Sequence, residues 1–538
     1  MQYGDIALRK GGPTPLYRQV AAAIRDACAR GELAPGERLP AIRTLADMLQ
    51  VSQVTVAQAY ELLRSEGVVA GHVGRGTFVQ ARAALLPLVV PGPMPASPSV
   101  SAPPLTTDAA GPSLSAPAIS SQVRAPRWQA VYLAQEQIYR RAPTAQEPIY
   151  FSRGVPDPAL FPLRRWRHSM HLAADRLTPD DRTAAQYGPA LGDPQLREVI
   201  ATGLRRHGIR AEPQEILLTS GTLQSLDLIA RTFLHPGATV FVEEVSYMAA
   251  LDIFEQRPIT WQPLPVDQQG LQIEALPAVA GVAAAASGRP RLLYTCPSGQ
   301  SPTGYSMSQA RRRLLAELAD RYDLLVIADE AFNELYLDDP PPPPPAVQGF
   351  ANAGRVISLV SFSKTIFPGV RMGCIVAAQS LVELLAQTKA LFDREASLPL
   401  TRAVAQHIAA PAYARELARA RQEYRARRDL LLDLLQRELA PLGCRWTVPA
   451  AGFSLLVSLP PECEERAAVE EAAWHGVMVL PGSCFAPVPT PRWRNTVRLS
   501  YGDLSPDQQR EGVQRLARAL RVVLEQHAGR IQDHSEPV

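Results

Sequence analysis

Val356-Ile357-Ser358-Leu359-Val360-Ser361-Phe362-Ser363-Lys364-Thr365, followed by Pro368-Gly369, Arg371 and Gly373, is the stretch on which the fold of this chain turns. It opens as an apolar, β-branched run of strand type and breaks into a hydroxyl-rich turn. The lysine after it stands out. Of the 55 basic residues, only Lys10, Lys364 and Lys389 are lysines. A lysine can lose its proton and form a Schiff base, whereas an arginine cannot. Codon bias with three survivors would give the same count, so the surroundings of each lysine decide. Lys389, within Ala386 to Arg394, reads as part of an ordinary polar helical face.

Lys364 reads differently. An amine that must react with an aldehyde needs a partly desolvated seat, and the strand supplies one. Neighbouring hydroxyls and an arginine seven residues on suit a phosphate monoester. Together they point to pyridoxal 5'-phosphate. Such a site needs three further parts, and the sequence offers each. Leu217-Leu218-Thr219-Ser220-Gly221-Thr222-Leu223-Gln224 is a strand ending at glycine before a helix over 226–233, whose first N–H groups would bind an anion. Leu324-Leu325-Val326-Ile327-Ala328-Asp329 ends a buried-type strand in a carboxylate fit for a pyridine nitrogen. Tyr247, after the strand over 239–242, offers an aromatic face.

Working outward, 538 residues suggest three to five domains, or fewer with one large α/β unit. Hydrophobic residues at 46% and charged residues at 20% give a core-forming composition. No apolar run is long enough for a membrane-spanning helix. The N-terminus lacks the pattern of a secretory signal. Six cysteines without a C-x-x-C pair exclude a disulfide scaffold and the usual zinc patterns, so no metal is expected. A cytoplasmic, nucleoid-associated protein is the expectation.

Residues 81–126 hold 10 Pro, 10 Ala and 7 Ser and cannot build a core. They divide the chain into a head (1–80), a linker (81–127), a body (128–530) and a disordered tail (531–538). A second proline run, Pro340 to Pro345, reads as a surface loop.

The head reads as three helices and a hairpin. Thr14 and Pro15 start the first helix and Gly31 stops it. The second runs over 41–49 with Ile42, Leu45 and Leu49 on one face. Ser52 caps the third, which carries Val54, Ala57, Tyr60, Leu62 and Leu63 and ends at Gly67. Val68-Val69 and Thr77-Phe78-Val79 flank a glycine-rich turn. Two short helices joined by a tight turn, then a hairpin, suit a winged helix-turn-helix that lays the second of the two, the one capped by Ser52, in the major groove. The head's charge is only +2, nine basic against seven acidic residues, so charge adds little.

The wording of the head, Gly36-x-Arg38-Leu39-Pro40-x-x-Arg43-x-Leu45-Ala46, Val51-Ser52-x-x-Thr55-Val56 and Gly74-Arg75-Gly76-Thr77-Phe78-Val79, closely resembles the GntR family of bacterial regulators. The body, from about Ile149 to Arg521, resembles a fold-type I aminotransferase: a large, mostly parallel-sheet α/β domain and a smaller C-terminal α/β domain. The whole resembles the MocR branch of the GntR family. That resemblance implies operator contacts by Arg38, Arg43, Ser52, Gln53, Thr55, Arg75 and Gly76 on double-stranded DNA. Gln53 stands where the family usually has arginine, and glutamine suits adenine where arginine suits guanine.

In the body, the resemblance implies that Lys364 carries the cofactor and Asp329 pairs with its ring nitrogen. Tyr247 would stack on the ring, and Thr222, Leu223, Ser361, Ser363 and Arg371 would hold the phosphate. Tyr187 resembles the tyrosine that reaches a partner subunit's phosphate, which implies a homodimer. Arg498, in Val497-Arg498-Leu499-Ser500, resembles the clamp of an amino acid carboxylate, and Gly154 borders the entrance. Taken alone, Arg498 would equally be an edge-strand charge and Gly154 a turn glycine.

Two positions depart from the family. Asn-Pro-x-Gly becomes Ser301-Pro302-Thr303-Gly304, and the tyrosine near the strand-end aspartate becomes Phe332. Ser301 could still donate a hydrogen bond to the cofactor's phenolic oxygen, and Phe332 cannot. Tyr336, one helical turn onward, is an open substitute. The leading expectation is therefore a regulator that senses an amino acid or amine effector, with at most a residual transamination half-reaction. An aminotransferase with an accessory DNA-binding head, and a DNA-binding dimer whose body is only a scaffold, are the alternatives.

Overall fold

The computed structural model describes Tyr3, Ile6, residues 15–79 except 31, 35, 66–67 and 73–75, and residues 126–533 except 143–146, 177–185, 279–290, 339–344 and 352–353. Nearly all the expected linker, most of the second proline run, Thr14, Gly31, Gly67 and Arg75 lie outside the described residues. The chain divides into two compact units, Met1–Pro117 and Ala118–Val538.

In the first unit, helices Leu16–Ala29, Ile42–Leu49 and Gln53–Ser65 precede strands Val69–His72 and Gly76–Val79, which pair antiparallel with Val69 opposite Val79. Val56, Ala59, Tyr60 and Leu63 recur at helical spacing on the third helix and pack with Val20, Ile24, Leu45 and Leu49 into one core. Three residues expected on apolar faces lie outside that core, and one of them, Ala57, is half-buried. The stripe of the third helix leaves Val54 on its outer side, 65% exposed, and Ile42 is exposed in the first turn of its helix.

The second unit is built on a seven-stranded sheet. Its strands, in spatial order, are Ile216–Thr219, Gly373–Val376, Val356–Ser361, Leu324–Asp329, Arg291–Thr295, Thr239–Glu243 and Thr260–Leu264. Only Gly373–Val376 runs against its neighbours, and the remaining pairs are parallel. Leu324–Asp329 is apolar almost throughout because helices cover both faces of such a sheet. Since the long strands run the same way, Thr219, Glu243, Thr295, Asp329 and Ser361 all end at one edge, where open α/β sheets bind ligands.

A smaller antiparallel sheet of Arg445–Trp446, Ser454–Ser458, Thr496–Ser500 and Leu480–Pro481 forms the C-terminal part. Arg498 sits between Leu456 and Leu480 on its neighbours, so it lies on an inner strand and not on an edge. Helix Arg127–Arg141 begins one residue inside the stretch expected to be linker, and helix Pro506–Asp533 runs three residues past the expected start of the tail. Among the described residues, no helix is long and apolar enough to cross a membrane.

Candidate functional site

The site forms where the strand ends meet the smaller sheet. The Lys364 amine donates to the Gly154 carbonyl at 2.9 Å and faces the rings of Phe453 at 5.4 Å and Phe332 at 5.8 Å. Burial, reinforced by the Arg498 charge, pulls this amine down to about 8. It is therefore far easier to deprotonate than an exposed lysine.

Asp329 closes its strand with a buried carboxylate. Tyr294 donates to one of its oxygens at 3.0 Å, and the Ala331 N–H to the other at 3.1 Å. Burial still raises the acid to about 6. Tyr247 lies within electrostatic reach of Asp329, Arg371 and Arg498, and burial pushes its phenol up.

The anion cradle is assembled from backbone. Helix Thr222–Phe233 begins four residues earlier than its apolar pattern suggests, capped by Gly221 at φ 108°, where a side chain would be strained. No side chain caps it, so its first N–H groups remain available. The Thr222 hydroxyl is buried without a partner. The Arg371 guanidinium lies beside Gly221, about 3.5 Å from where a Cβ would stand. At Gly373 a Cβ would come 2.7 Å from the Val360 carbonyl and 3.0 Å from the Gly221 Cα, so only glycine lets these backbones meet. Ser361 accepts from the Ser363 N–H at 3.3 Å, which shapes the turn before Lys364. Leu223, whose side chain is exposed, would contribute its backbone N–H.

Arg498 is 6% exposed and donates to the Ser152 carbonyl at 2.7 Å, while its Nε is buried without a partner. Burial pulls this guanidinium down to about 10. A desolvated cation with a spare donor is complementary to a carboxylate.

The structure thus brings Lys364, Asp329, Tyr247, Arg498, Gly154, Ser361, Ser363, Arg371 and Thr222 to one sheet edge. Tyr187 stands apart, 75% exposed, with the Arg394 guanidinium 4.5 Å from its ring. Ser301 is half-buried. Tyr336 does not continue a helix; it pairs in a β-bridge with Ala451, and its hydroxyl accepts from Arg312 at 3.1 Å. Phe332 packs edge-on against Phe453, with centroids 5.1 Å apart.

Sequence reasoning missed three supports. Tyr294, the partner of Asp329, was hidden as one more aromatic in an apolar strand. Glu243 accepts from Thr295, Ser246, Gln300 and the Cys296 N–H, knotting two strand ends together. Lys389 is 1% exposed and not on a polar face. It donates to Asp393 at 2.6 Å, Asp393 accepts from Gln224, and Gln224 accepts from the Ser220 N–H at 2.7 Å. This relay braces the turn that opens the anion cradle.

In the head, Ser52 caps the third helix: its hydroxyl accepts from the Thr55 N–H at 3.2 Å and meets the Thr55 hydroxyl at 2.9 Å. Arg38, Arg43, Ser52 and Gln53 are exposed, Thr55 is half-buried and Gly76 begins the second wing strand. Arg38 also bridges to Phe78 of that strand.

Residues 16–79 match the family of bacterial regulatory proteins of the gntR type, and residues 151–516 match aminotransferase class I and II. The HTH-type transcriptional regulator YdfD of Bacillus subtilis is 28% identical, over 93% of this chain and 95% of its own. The probable rhizopine catabolism regulatory protein MocR of Rhizobium meliloti is also 28% identical, over 96% of each chain. Among solved structures, LysN, an α-aminoadipate aminotransferase of Thermus thermophilus complexed with N-(5'-phosphopyridoxyl)-L-leucine, is 29% identical. It aligns with a TM-score of 0.63 over 72% of this chain and 98% of its own. The free Thr222 hydroxyl, the spare Arg498 donor and the Gly221–Gly373 approach fit the pyridoxal phosphate on which this fold depends. The chain belongs to the aminotransferase class I and II family and, through the GntR-type head that precedes that domain, to the DNA-binding transcriptional regulators of the MocR kind.

Proposed function

We propose that this regulator senses a primary amine, an amino acid foremost, at the sheet edge of its body and reports it to operator DNA through its head. The observation that carries the reading is the half-buried Lys364, whose amine sits on the Gly154 carbonyl, faces Phe332 and Phe453, and lies within electrostatic reach of Asp329 and the buried Arg498. Pyridoxal phosphate, when bound, supplies an aldehyde that reacts reversibly with primary amines. The chain's own residues do the rest. Arg371, the Thr222 hydroxyl and the helix N–H groups of Thr222 and Leu223 hold a phosphate, with Ser361 and Ser363 lining the turn. Asp329 holds a protonated ring nitrogen and Tyr247 covers the ring. Lys364 gives and takes a proton at Nζ, while Arg498 grips the effector's carboxylate near Gly154. Phe332 and Phe453 keep water from the amine.

The regulator acts as a homodimer in the cytoplasm, with the exposed Tyr187 reaching the partner's phosphate site. Arg38, Arg43, Ser52, Gln53, Thr55, Arg75 and Gly76 read the operator at the nucleoid. An effector shifts operator binding only if it favours one of two arrangements of the dimer. Operator binding measured with and without amino acids, in wild type and Lys364→Ala, tests this. Loss of the response in a folded Lys364→Ala supports it, and an unchanged response overturns it.

A further inference from the structure

Helix Arg127–Arg141 follows directly on the proline-rich stretch, so any path along the chain from the pocket to the head passes through it. Its first residue is held from two sides. The Arg127 Nε donates to one oxygen of Asp252 at 3.1 Å, and its backbone N–H to the other at 3.2 Å. A second guanidinium nitrogen pairs with Glu255, and the third donates to the Ala486 carbonyl at 2.7 Å. Asp252 lies on helix Met248–Phe254, which Tyr247 precedes as N-cap, and Glu255 closes that helix. Ala486 follows Phe485, whose ring is 5.6 Å from the Arg498 guanidinium. One planar fork thus bridges the helix that begins at the ring-covering tyrosine and the turn beside the carboxylate clamp.

The rest of the helix repeats the pattern. Gln135 is buried and donates to the Val479 carbonyl at 2.6 Å, and the next residue, Leu480, lies opposite Arg498 in the small sheet. Tyr132 stacks on Tyr150 with centroids 6.3 Å apart, two residues before the Ser152 carbonyl to which Arg498 donates. Three separate parts of the pocket therefore meet on one helix, and Arg127 holds two of them at the end nearest the head in sequence. We infer that Arg127 is a positioning residue for the response to effector, the joint at which occupancy of the pocket is passed to the chain that leads to the head. The inference rests on the sensing function proposed above. A carboxylate gripped by Arg498 competes with the Ser152 carbonyl, and a shift of either the 482–486 turn or the Tyr247 helix reaches Arg127 directly.

The test uses the full-length protein, freed of cofactor and then loaded with pyridoxal 5'-phosphate or with N-(5'-phosphopyridoxyl)-L-alanine, a stable union of cofactor and amino acid. Affinity is measured in each state for a DNA duplex that the wild type has selected from a random pool. The two states should differ by about fivefold or more in wild type, and by linkage the duplex should change the relative affinity for the two compounds by the same factor. Arg127→Gln, and separately Asp252→Asn combined with Glu255→Gln, should bring that difference below about twofold. Affinity for the alanine compound without DNA should stay within about twofold of wild type in both. A residue that served only to hold the fold together would weaken that binding and leave the difference between states in place. The full difference persisting in either folded variant overturns the joint. No difference in wild type overturns the sensing function, and the joint with it.

Discussion

The two ends of the body's pocket are built on different principles. At the end proposed for the phosphate and the ring nitrogen, the polar groups are braced from behind: Arg371 beside Gly221, Tyr294 on Asp329, and the Lys389 relay behind Ser220. At the end proposed to face the phenolic oxygen stand Phe332, edge-on against Phe453, and the half-buried Ser301. The contrast teaches that holding a cofactor and tuning its reactivity are separable tasks. A sensor needs the first in full, whereas steady turnover needs both.

The sharpest way to break this contrast is Lys364→Ala, which should abolish borohydride-stable attachment of the cofactor altogether. A visible band that borohydride still fixes to the variant would mean that the amine is elsewhere. Next in size, Arg371→Ala removes a charge-assisted contact of about 1.5–3 kcal/mol, or roughly 10- to 150-fold in cofactor affinity by equilibrium titration.

Acid comes third. Asp329 takes up a proton as pH falls through about 6, and only its ionised form pairs with a protonated ring nitrogen. Affinity should therefore drop about tenfold from pH 7 to pH 5. Tyr294→Phe removes a hydrogen bond that favours the carboxylate, so its acid midpoint should move upward, with about 1 kcal/mol lost at neutral pH. An unmoved midpoint would leave Tyr294 a packing residue only.

The smallest expected change lies at the other end. Phe332→Tyr should alter affinity by less than about threefold while shifting the visible band. If it tightened binding as strongly as Arg371→Ala loosens it, the two ends would not be separable.

Much of this was legible in the sequence, for identifiable reasons. Strand ends with a lysine, a carboxylate and a glycine turn carry their chemistry in one dimension, and the capping Ser52 announces its helix. What escaped notice depends on contacts between distant segments. Nothing near Lys389 marks it as buried until Asp393 and Gln224 are brought together in space. Tyr294 and Glu243 look like any strand residues until the parallel register aligns their ends. Val54 illustrates the converse error: an apolar residue within a helical pattern, assigned inward, stands at the exposed front of the helix expected to read DNA. Most of the second proline run and Arg75 lie beyond what the structure describes.

The one reversed strand, Gly373–Val376, sits between Ile216–Thr219 and Val356–Ser361. It couples the pocket to the order of synthesis. The head is complete once residue 79 has left the ribosome, but the strand that joins the Gly221 turn to the Lys364 turn emerges only about 300 residues later. At roughly 5–20 residues per second, that is a delay of about 15–60 s. During this interval each nascent chain carries a finished DNA-binding head and no completed pocket. A message cut short anywhere in that span would yield heads without the pocket.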